Sequence, residues 1–491
     1  MILLVVAVLA VAGAVGSLRW LRVAQREHYL AGSATRFALR WWRLHSMNVT
    51  LLLMGVGAIL GMALDPLSGL VAAAVAFLGP LGLGLRGRTS PLAWTGRMRR
   101  LAATTWALVL VAALAGWLTH PAVTAAAVLG VHLLVDAALA LLAPVERRLG
   151  KPWVDRAADA LRRSGATVVA VTGSYGKTST KGHIAHLLGE TRRVLASPAS
   201  FNNRMGLARA INEHLAGGID TFVAEMGTYG PGEIAELCSW IPPDVAVITA
   251  IGPVHLERFG SEERIVEAKS EILERASVAV LNVDDPRLRR VADRERERRR
   301  VLAVGSRDAD VVVDGETVTV DGRLVGRVPA SAHPTNVGCA VAVALALEVP
   351  EEVIGARLAG ITEPEHRLTV SRSPSDVLII DDTFNSNPAG AEAALQALGK
   401  IGEGGRRVVI TPGMVELGSR QHEENVRFAA RAEEVADRVL VVGRTNRPAL
   451  VEGAPGAIPV ATREEAVEWV RRHLGSGDVV LYENDLPDHY P

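Results

Sequence analysis

Two hydrophobic patterns divide the chain. Over the first 145 residues, apolar residues run in long blocks at 1–18, about 48–64, 68–85, 102–119 and 121–143. Each block approaches the roughly 20 residues needed to cross a hydrocarbon core, so the pattern predicts five membrane-spanning helices. Asp65-Pro66 and His120-Pro121 break the runs, which predicts two hairpins with tight turns. Beyond residue 165 the pattern changes. Short β-branched runs at Thr167–Val171, Thr221–Glu225, Val245–Ile251, Ala279–Asn282 and Arg300–Val304 alternate with amphipathic stretches such as Leu207–His214 and Arg264–Ala276. That alternation predicts a mostly parallel α/β sheet with ligands at the C-terminal ends of its strands. Runs at Val377–Ile380, Val408–Thr411 and Val479–Leu481 predict a second, Rossmann-like α/β sheet. The expected organisation is a helical membrane domain over 1–145, a central α/β domain over 146–365 and a C-terminal α/β domain over 366–491, with 144–165 as a linker.

Charge sharpens this division. The net charge is zero, yet residues 1–150 hold thirteen Arg, no Lys and four acids, so that part is +9 and the remainder −9. Arg19, Arg22, Arg26, Arg36, Arg40 and Arg43 fall between the first two blocks, Arg86, Arg88, Arg97, Arg99 and Arg100 between the third and fourth, and Arg147, Arg148 and Lys151 after the fifth. The hairpin turns carry none. Basic segments stay cytoplasmic, so the N-terminus is expected outside an inner membrane and the α/β part in the cytoplasm. The first block lacks a basic leader, which favours a span over a signal peptide. Trp20, Trp41, Trp42, Trp94 and Trp117 lie near block ends, as an interfacial aromatic belt requires. His132 and Asp136, four apart, share a helix face and are candidates for a substrate path, with contacts to a neighbouring helix as the plainer reading. Cys238 and Cys339 are too few for a disulfide framework or a cysteine zinc site. Only five Lys (151, 177, 181, 269, 400) occur among 53 basic residues, so each retained Lys is a candidate for a place where a guanidinium does not serve.

One stretch carries chemistry. The run Val168–Val171 ends at Thr172-Gly173-Ser174-Tyr175-Gly176-Lys177-Thr178-Ser179-Thr180-Lys181, a Gly-containing turn entering a helix. Backbone N–H groups and a helix N-terminus there can cradle phosphates, with Lys177 on the β/γ-phosphates and Thr178 on Mg²⁺. Two residues, not four, separate Gly173 from Gly176-Lys177, so the loop is shorter than a general P-loop. Glu225 closes a strand and is a reasonable Mg²⁺ ligand. Alone, His255, Lys269 and Asn282 would read as a structural histidine, a solvated lysine and a turn former.

Together these segments resemble the Mur ligase family. They are the short phosphate loop, Phe201-Asn202-Asn203-Arg204-Met205-Gly206, Glu225-Met226-Gly227, His255-Leu256-Glu257-Arg258-Phe259-Gly260, Glu267-Ala268-Lys269-Ser270-Glu271-Ile272 and Leu281-Asn282-Val283-Asp284-Asp285. The likeness is strongest to the branch that ligates D-alanyl-D-alanine to a UDP-N-acetylmuramoyl-tripeptide. The resemblance implies that Gly173, Ser174, Gly176, Lys177, Thr178 and Ser179 bind ATP, and that Thr178, Glu225 and His255 hold metal. Lys269 matches a lysine whose carbamate bridges a second Mg²⁺. Asn282 would contact adenine, and Asn202 and Asn203 would line the acyl-donor site. Asp381-Asp382-Thr383-Phe384-Asn385-Ser386-Asn387-Pro388 and the region of Arg367 resemble nucleotide-holding segments, so Arg367, Asp382 and Asn385 join the ATP set. Lys177, Lys269 and His255 would be the catalytic residues.

The implied activity is an ATP-dependent carboxylate–amine ligase acting through an acyl phosphate at a membrane. Its expected partners are the lipid bilayer, a carboxylate donor, lipid-linked in the reading the membrane domain favours, and an amino-acid or dipeptide amine; no nucleic acid is expected. Two departures stand out. The spans replace the family's UDP-binding N-terminal domain, and Tyr482–Pro491 replaces its Lys-Gly-Ser-Arg segment, which lies where the amine binds. The alternatives are a poly-γ-glutamate synthase-like ligase, an ATP-binding membrane scaffold and, last, a transporter.

Overall fold

The structure, a computed structural model, describes residues 1–85, 91–198, 201–328, 332–362, 368–384, 386–401, 404–487 and 489–490. Arg86, Arg88, Arg367 and Asn385 therefore lie outside the described residues. The chain forms two units, Met1–Gly150 with Leu486–Pro491, and Lys151–Asp485.

The first unit is built from α1 (Ile2–Arg26), α2 (Ser33–Leu44), α3 (Ser46–Gly61), α4 (Gly69–Leu78), α5 (Gly96–Leu118), α6 (Ala122–Leu129) and the start of α7 (Val131–Ser164). Among the described residues two helices, α1 and α5, are long and apolar enough to cross a membrane, or four if the bent pairs α2–α3 and α6–α7 each count as one span, against the five expected. Local chemistry sets the difference. Gly79-Pro80 ends α4 after ten residues, because proline lacks an N–H and restricts the residue before it. The block at 121–143 is divided at Gly130 by a 74° bend. The segment 144–165 is no linker, since α7 stays helical to Ser164.

Helix α2, an amphipathic element that the run of arginines hid, organises this unit. Phe37, Trp41 and Trp42 bury one face of it against Trp20, Leu21, Met98, Leu101 and Val135. Trp20, Trp41 and Trp42 are thus core residues rather than belt residues, whereas Trp94 and Trp117 are exposed. Asp136 caps α2: its Oδ1 accepts from Gly32 N at 2.9 Å and Ala34 N at 3.2 Å, its Oδ2 from Thr35 N at 2.8 Å and Thr35 Oγ1 at 2.5 Å. His132 Nδ1 lies 3.3 Å from the same Thr35 hydroxyl. Both side chains contact the neighbouring helix α2, as the plainer reading expects. Asp136→Ala is expected to cost about 2 kcal/mol, the scale of a lost helix cap with charge-assisted bonds, read as a lowered unfolding temperature in detergent.

The second unit holds two sheets. Strands β1 (Thr167–Thr172), β2 (Val194–Ala196), β3 (Thr221–Glu225), β4 (Val245–Ile248), β5 (Val278–Asn282), β6 (Arg300–Gly305), β7 (Val311–Asp314), β8 (Thr317–Val320) and β9 (Arg323–Arg327) run in the order β2-β3-β1-β4-β5-β6-β7-β8-β9. All neighbours are parallel up to β7; β7–β8–β9 is an antiparallel meander. Val168 and Ala170 pack into one cluster, Val169 and Val171 into another. Both faces of β1 are therefore covered, which is why its sequence is continuously apolar. The second sheet contains β10 (Thr369–Arg372), β11 (Leu378–Asp382), β12 (Arg407–Thr411), β13 (Arg438–Val442), β14 (Ile458–Val460) and β15 (Val479–Glu483) in the order β10-β11-β15-β12-β13-β14, with only β10 antiparallel.

Strand β1 lies between β3 and β4, so the chain leaves it towards one side of the sheet and later returns on the other. That reversal opens a crevice at the C-terminal strand ends. The loops after β1, β3 and β4 converge there.

Candidate active site

The loop after β1 enters α8 (Lys177–Leu188), which Ile184, Leu187 and Leu188 anchor in the core. Gly176, at φ 74°, adopts a left-handed backbone, and a Cβ there would collide with Asn336 Oδ1. A Cβ on Gly173 would collide with Thr249 Oγ1. Ser174 fastens the loop to the segment after β4: its N–H donates to Ala250 O at 2.7 Å, its hydroxyl to Gly252 O at 3.1 Å, and Gly252 N donates back at 3.0 Å. The cradle is close-fitted, a left-handed turn running into a helix N-terminus.

Two amines converge on one carbonyl of this loop. Lys177 Nζ donates to Gly173 O at 2.8 Å, and Lys269 Nζ to the same oxygen at 3.1 Å. Lys269 is buried, not the solvated helix lysine of its local sequence. Burial, reinforced by the Lys177 charge, pushes its pKa well below the ordinary lysine value. Glu225, at the end of β3, gathers the other side. Its Oε2 accepts from Thr178 Oγ1 at 3.0 Å and Lys181 Nζ at 3.1 Å, and its Oε1 from Asn202 Nδ2 at 3.2 Å. Burial alone would raise the Glu225 pKa, but the charges of Lys181 and Lys177 and the Asn202 bond outweigh it and hold the carboxyl below its usual range. The charge of Lys177 thus acts on Glu225, Lys269 and His255 alike.

His255 Nδ1 is bonded to Glu416, whose other oxygen accepts from Arg258 Nη2 at 3.0 Å. Both His255 (φ 62°) and Glu416 (φ 65°) have left-handed backbone, a strain of about 1–3 kcal/mol for each non-glycine residue, and the kind that clusters at functional sites. Burial lowers the His255 pKa, against the pull of Glu416.

The remaining expected residues fall into two groups. Ser179 is buried in the first turn of α8. Asn203 spends its side chain as the N-cap of the helix Arg204–His214, accepting from Gly206 N at 3.0 Å, so only Asn202 of the pair faces Glu225. Asn282 Oδ1 accepts from Asp284 N at 3.1 Å, shaping the turn after β5. Asp382 ends β11 and accepts from Leu368 N at 3.2 Å. Sequence reading left Lys181 and Glu416 without roles. Lysine scarcity pointed to the first, and the second stands in Pro412-Gly413-Met414-Val415-Glu416-Leu417-Gly418, a segment similar to a loop of the family. It also missed Glu483, fully buried at the end of β15, which accepts from Thr411 Oγ1 at 2.5 Å and from Ser386 Oγ. Burial and nearby Asp382 push its pKa up, to about 7, against those two bonds.

A glycine-lined anion cradle with paired amines, a hydroxyl and a carboxylate defines a nucleotide-dependent phosphoryl-transfer site. Residues 171–326 match the family model of the Mur ligase middle domain, and residues 366–482 that of the Mur ligase glutamate ligase domain. The UDP-N-acetylmuramoyl-tripeptide–D-alanyl-D-alanine ligase of Mycobacterium leprae is 32% identical over 375 residues, which cover 65% of this chain and 70% of that one. MurF from Thermotoga maritima, solved in complex with ADP, superposes with a TM-score of 0.61 at 29% identity over 68% of this chain and 80% of its own. MurF from Acinetobacter baumannii gives 0.60 at 26% identity, over 68% and 77%. The chain belongs to the Mur ligase family, in its MurF branch, and is an ATP-dependent amide-forming ligase.

The side chains fit the Mg²⁺ such ligases use. Among the described residues no three His, Cys, Asp or Glu form a cage. Mg²⁺ bound to a nucleotide needs only one or two protein carboxylates beside the phosphates, and Thr178 with Glu225 supplies a donor set of that kind.

Proposed function

We propose that this chain is a membrane-anchored ligase that joins a carboxylate donor to an amine in the synthesis of peptidoglycan precursors or related envelope material. The observation that carries this reading is the convergence of Lys177 and Lys269 on Gly173 O, beside the Thr178–Glu225 pair. Gly173, Ser174, Gly176 and Ser179 hold the triphosphate, Lys177 neutralises charge on the transferring group, and Asn282, Asp382, Arg367 and Asn385 hold the rest of the nucleotide. Mg²⁺, held by Thr178, Glu225, His255 and a carbamate on Lys269, would supply charge neutralisation at the phosphates. The Lys269 amine, whose unprotonated form burial favours, would take up CO₂ to form that carbamate and release one proton. The donor carboxylate, oriented by Asn202, attacks the γ-phosphorus and displaces ADP, giving an acyl phosphate. The amine then attacks the acyl carbon, forming the amide as the bond to phosphate breaks, and the departing phosphate carries away the amine's proton.

Anchoring is supported by the apolar helices α1 and α5 and by their exposed Leu3, Leu4, Val11, Leu110, Val111 and Leu114. The arginines between the apolar blocks favour a cytoplasmic side for the two ligase domains. A membrane-held enzyme suits a lipid-linked donor. The test incubates detergent-solubilised full chain with ATP and Mg²⁺ in two arms: UDP-N-acetylmuramoyl-tripeptide with D-alanyl-D-alanine, the pair named for its relatives, and cell lipid extract with a panel of amino acids. Phosphate release with a new amide mass is expected, and stronger in the lipid arm. Equal use of the soluble donor would remove the basis for a lipid-linked one; no amide in either arm would sink the ligase reading.

A further inference from the structure

Glu416 stands on a loop that the second sheet holds firmly. Asn425 Oδ1 accepts from Met414 N at 2.8 Å, and Asn425 Nδ2 donates to Met414 O at 2.9 Å. Asn446 Nδ2 donates to Pro412 O and to Met414 O, each at 3.0 Å. Met414 and Leu417 are buried in the core of that sheet, and Val254, one residue before His255, packs against the same cluster. The Gly418 backbone, at φ 57°, lies so close to the chain after His255 that a Cβ there would stand 3.0 Å from Glu257 N. Arg420 pairs with Glu262 at 2.7 Å in the same contact. The loop after β12 and the segment after β4 are thus fitted to each other. That segment is fastened in turn to the phosphate loop through Ser174 and Gly252.

Within this contact one ring is held from several sides. His255 Nδ1 is bonded to Glu416, and the second carboxylate oxygen accepts from Arg258 Nη2 at 3.0 Å, which keeps the carboxylate from turning away. The Tyr229 ring stands edge-on to the imidazole at 5.1 Å, and the Arg258 guanidinium lies over Tyr229 at 4.6 Å. An ionised carboxylate only accepts, so Nδ1 is the donor, and the lone pair of a neutral ring is left on Nε2. Among the described residues nothing bonds Nε2. Two non-glycine residues take left-handed backbone to make this one bond, a strain that simple packing of two loops does not require.

We propose that Glu416 is a positioning residue for metal binding: it fixes the tautomer of His255 so that Nε2 is the ligating nitrogen, and the loop after β12 thereby completes a site built on the first sheet. Carboxylate partners of this kind orient metal-bound histidines and raise their basicity. The inference rests on the proposed role of His255 as a metal ligand, and it does not depend on which carboxylate and amine are joined.

The test is Mn²⁺ binding by the full chain in detergent with ADP present, followed by electron paramagnetic resonance on protein carrying isotopically labelled histidine nitrogen. The parent should show hyperfine coupling from a labelled nitrogen, and His255→Ala should lose it. Glu416→Leu should weaken that coupling and raise the Kd for Mn²⁺ on the order of ten- to a hundredfold, and Glu416→Gln, whose carbonyl can still accept from Nδ1, should recover part of the loss. Arg420→Ala breaks the neighbouring half-exposed pair without touching His255 and should leave Kd within about twofold. No labelled-nitrogen coupling in the parent would overturn the inference. So would a Glu416→Leu chain that binds Mn²⁺ within about twofold of the parent. An Arg420→Ala chain as weak as Glu416→Leu would overturn it too, because docking of the two loops, not the Glu416 bond, would then set the affinity. A chain that binds Mn²⁺ through His255 yet forms no amide keeps the inference and counts against the ligase reading alone.

Discussion

Lys269→Met is expected to lower turnover on the order of 10²–10³-fold while raising the unfolding temperature, a separation of stability from activity that an ordinary core lysine would not give. The amine is buried, it donates to the Gly173 carbonyl, and Lys177 adds repulsion from the same side. Its pKa in the fold therefore lies well below the ordinary value of 10.5. The unfolded chain binds a proton at neutral pH that the folded chain resists, so the Lys269 contribution to stability improves as pH rises towards that value. Methionine fills the same volume without an ionisable group. It removes this penalty, flattens the pH slope, and takes away both the amine and any carbamate built on it. Lys269→Arg should be equally inactive and less stable than the parent, because a guanidinium stays charged when buried and cannot take up CO₂. Phosphate release and thermal unfolding at pH 7 and pH 9 check each part. A Lys269→Met chain that keeps turnover within about twofold would remove Lys269 from the mechanism.

The reading of Lys269 shows where sequence is legible. A β-branched run at 168–171 and a glycine turn running into a helix are local signals, and the strand and helix they predict are present. The site needed more than local pattern. Glu267-Ala268-Lys269-Ser270 reads as a solvated helix turn, and only the packing of that helix beneath the phosphate loop buries the amine. Glu416 reaches His255 across 161 residues, a pairing that no spacing rule supplies. In the helical unit, unbroken hydrophobicity gave the blocks but not their breaks, nor α2, whose five arginine-flanked apolar residues looked like a cytoplasmic loop. Trp20, Trp41 and Trp42 show the same limit: a tryptophan near the end of an apolar run can face lipid headgroups or a core, and the packing partner decides.

Glu225 offers the second large effect, and it separates two roles held by one carboxylate. Glu225→Ala should cost about 3–5 kcal/mol, the scale for breaking one side of a buried ion pair, because Lys181 would be left buried without its counter-charge. Glu225→Gln keeps the shape and can still accept from Asn202 or Thr178, so its cost should be smaller, and Glu225→Gln/Lys181→Met smaller again. If Glu225 also holds Mg²⁺, all three variants should lose turnover by about 10²-fold or more and need more Mg²⁺ for half-maximal rate, whatever their stability. The acid limb gives an independent check. The folded carboxyl titrates below its ordinary value, so its contribution is fully present above about pH 4.3 and is lost as pH falls through the folded value. The gap in stability between parent and Glu225→Gln should therefore be constant from pH 7 to 5 and close below pH 4, as followed by denaturant unfolding. Restored stability together with restored turnover in the Lys181→Met background would make Glu225 a structural partner of Lys181 only. Restored stability without turnover leaves the metal as the reason a carboxylate is placed at the end of β3, one bond from Thr178.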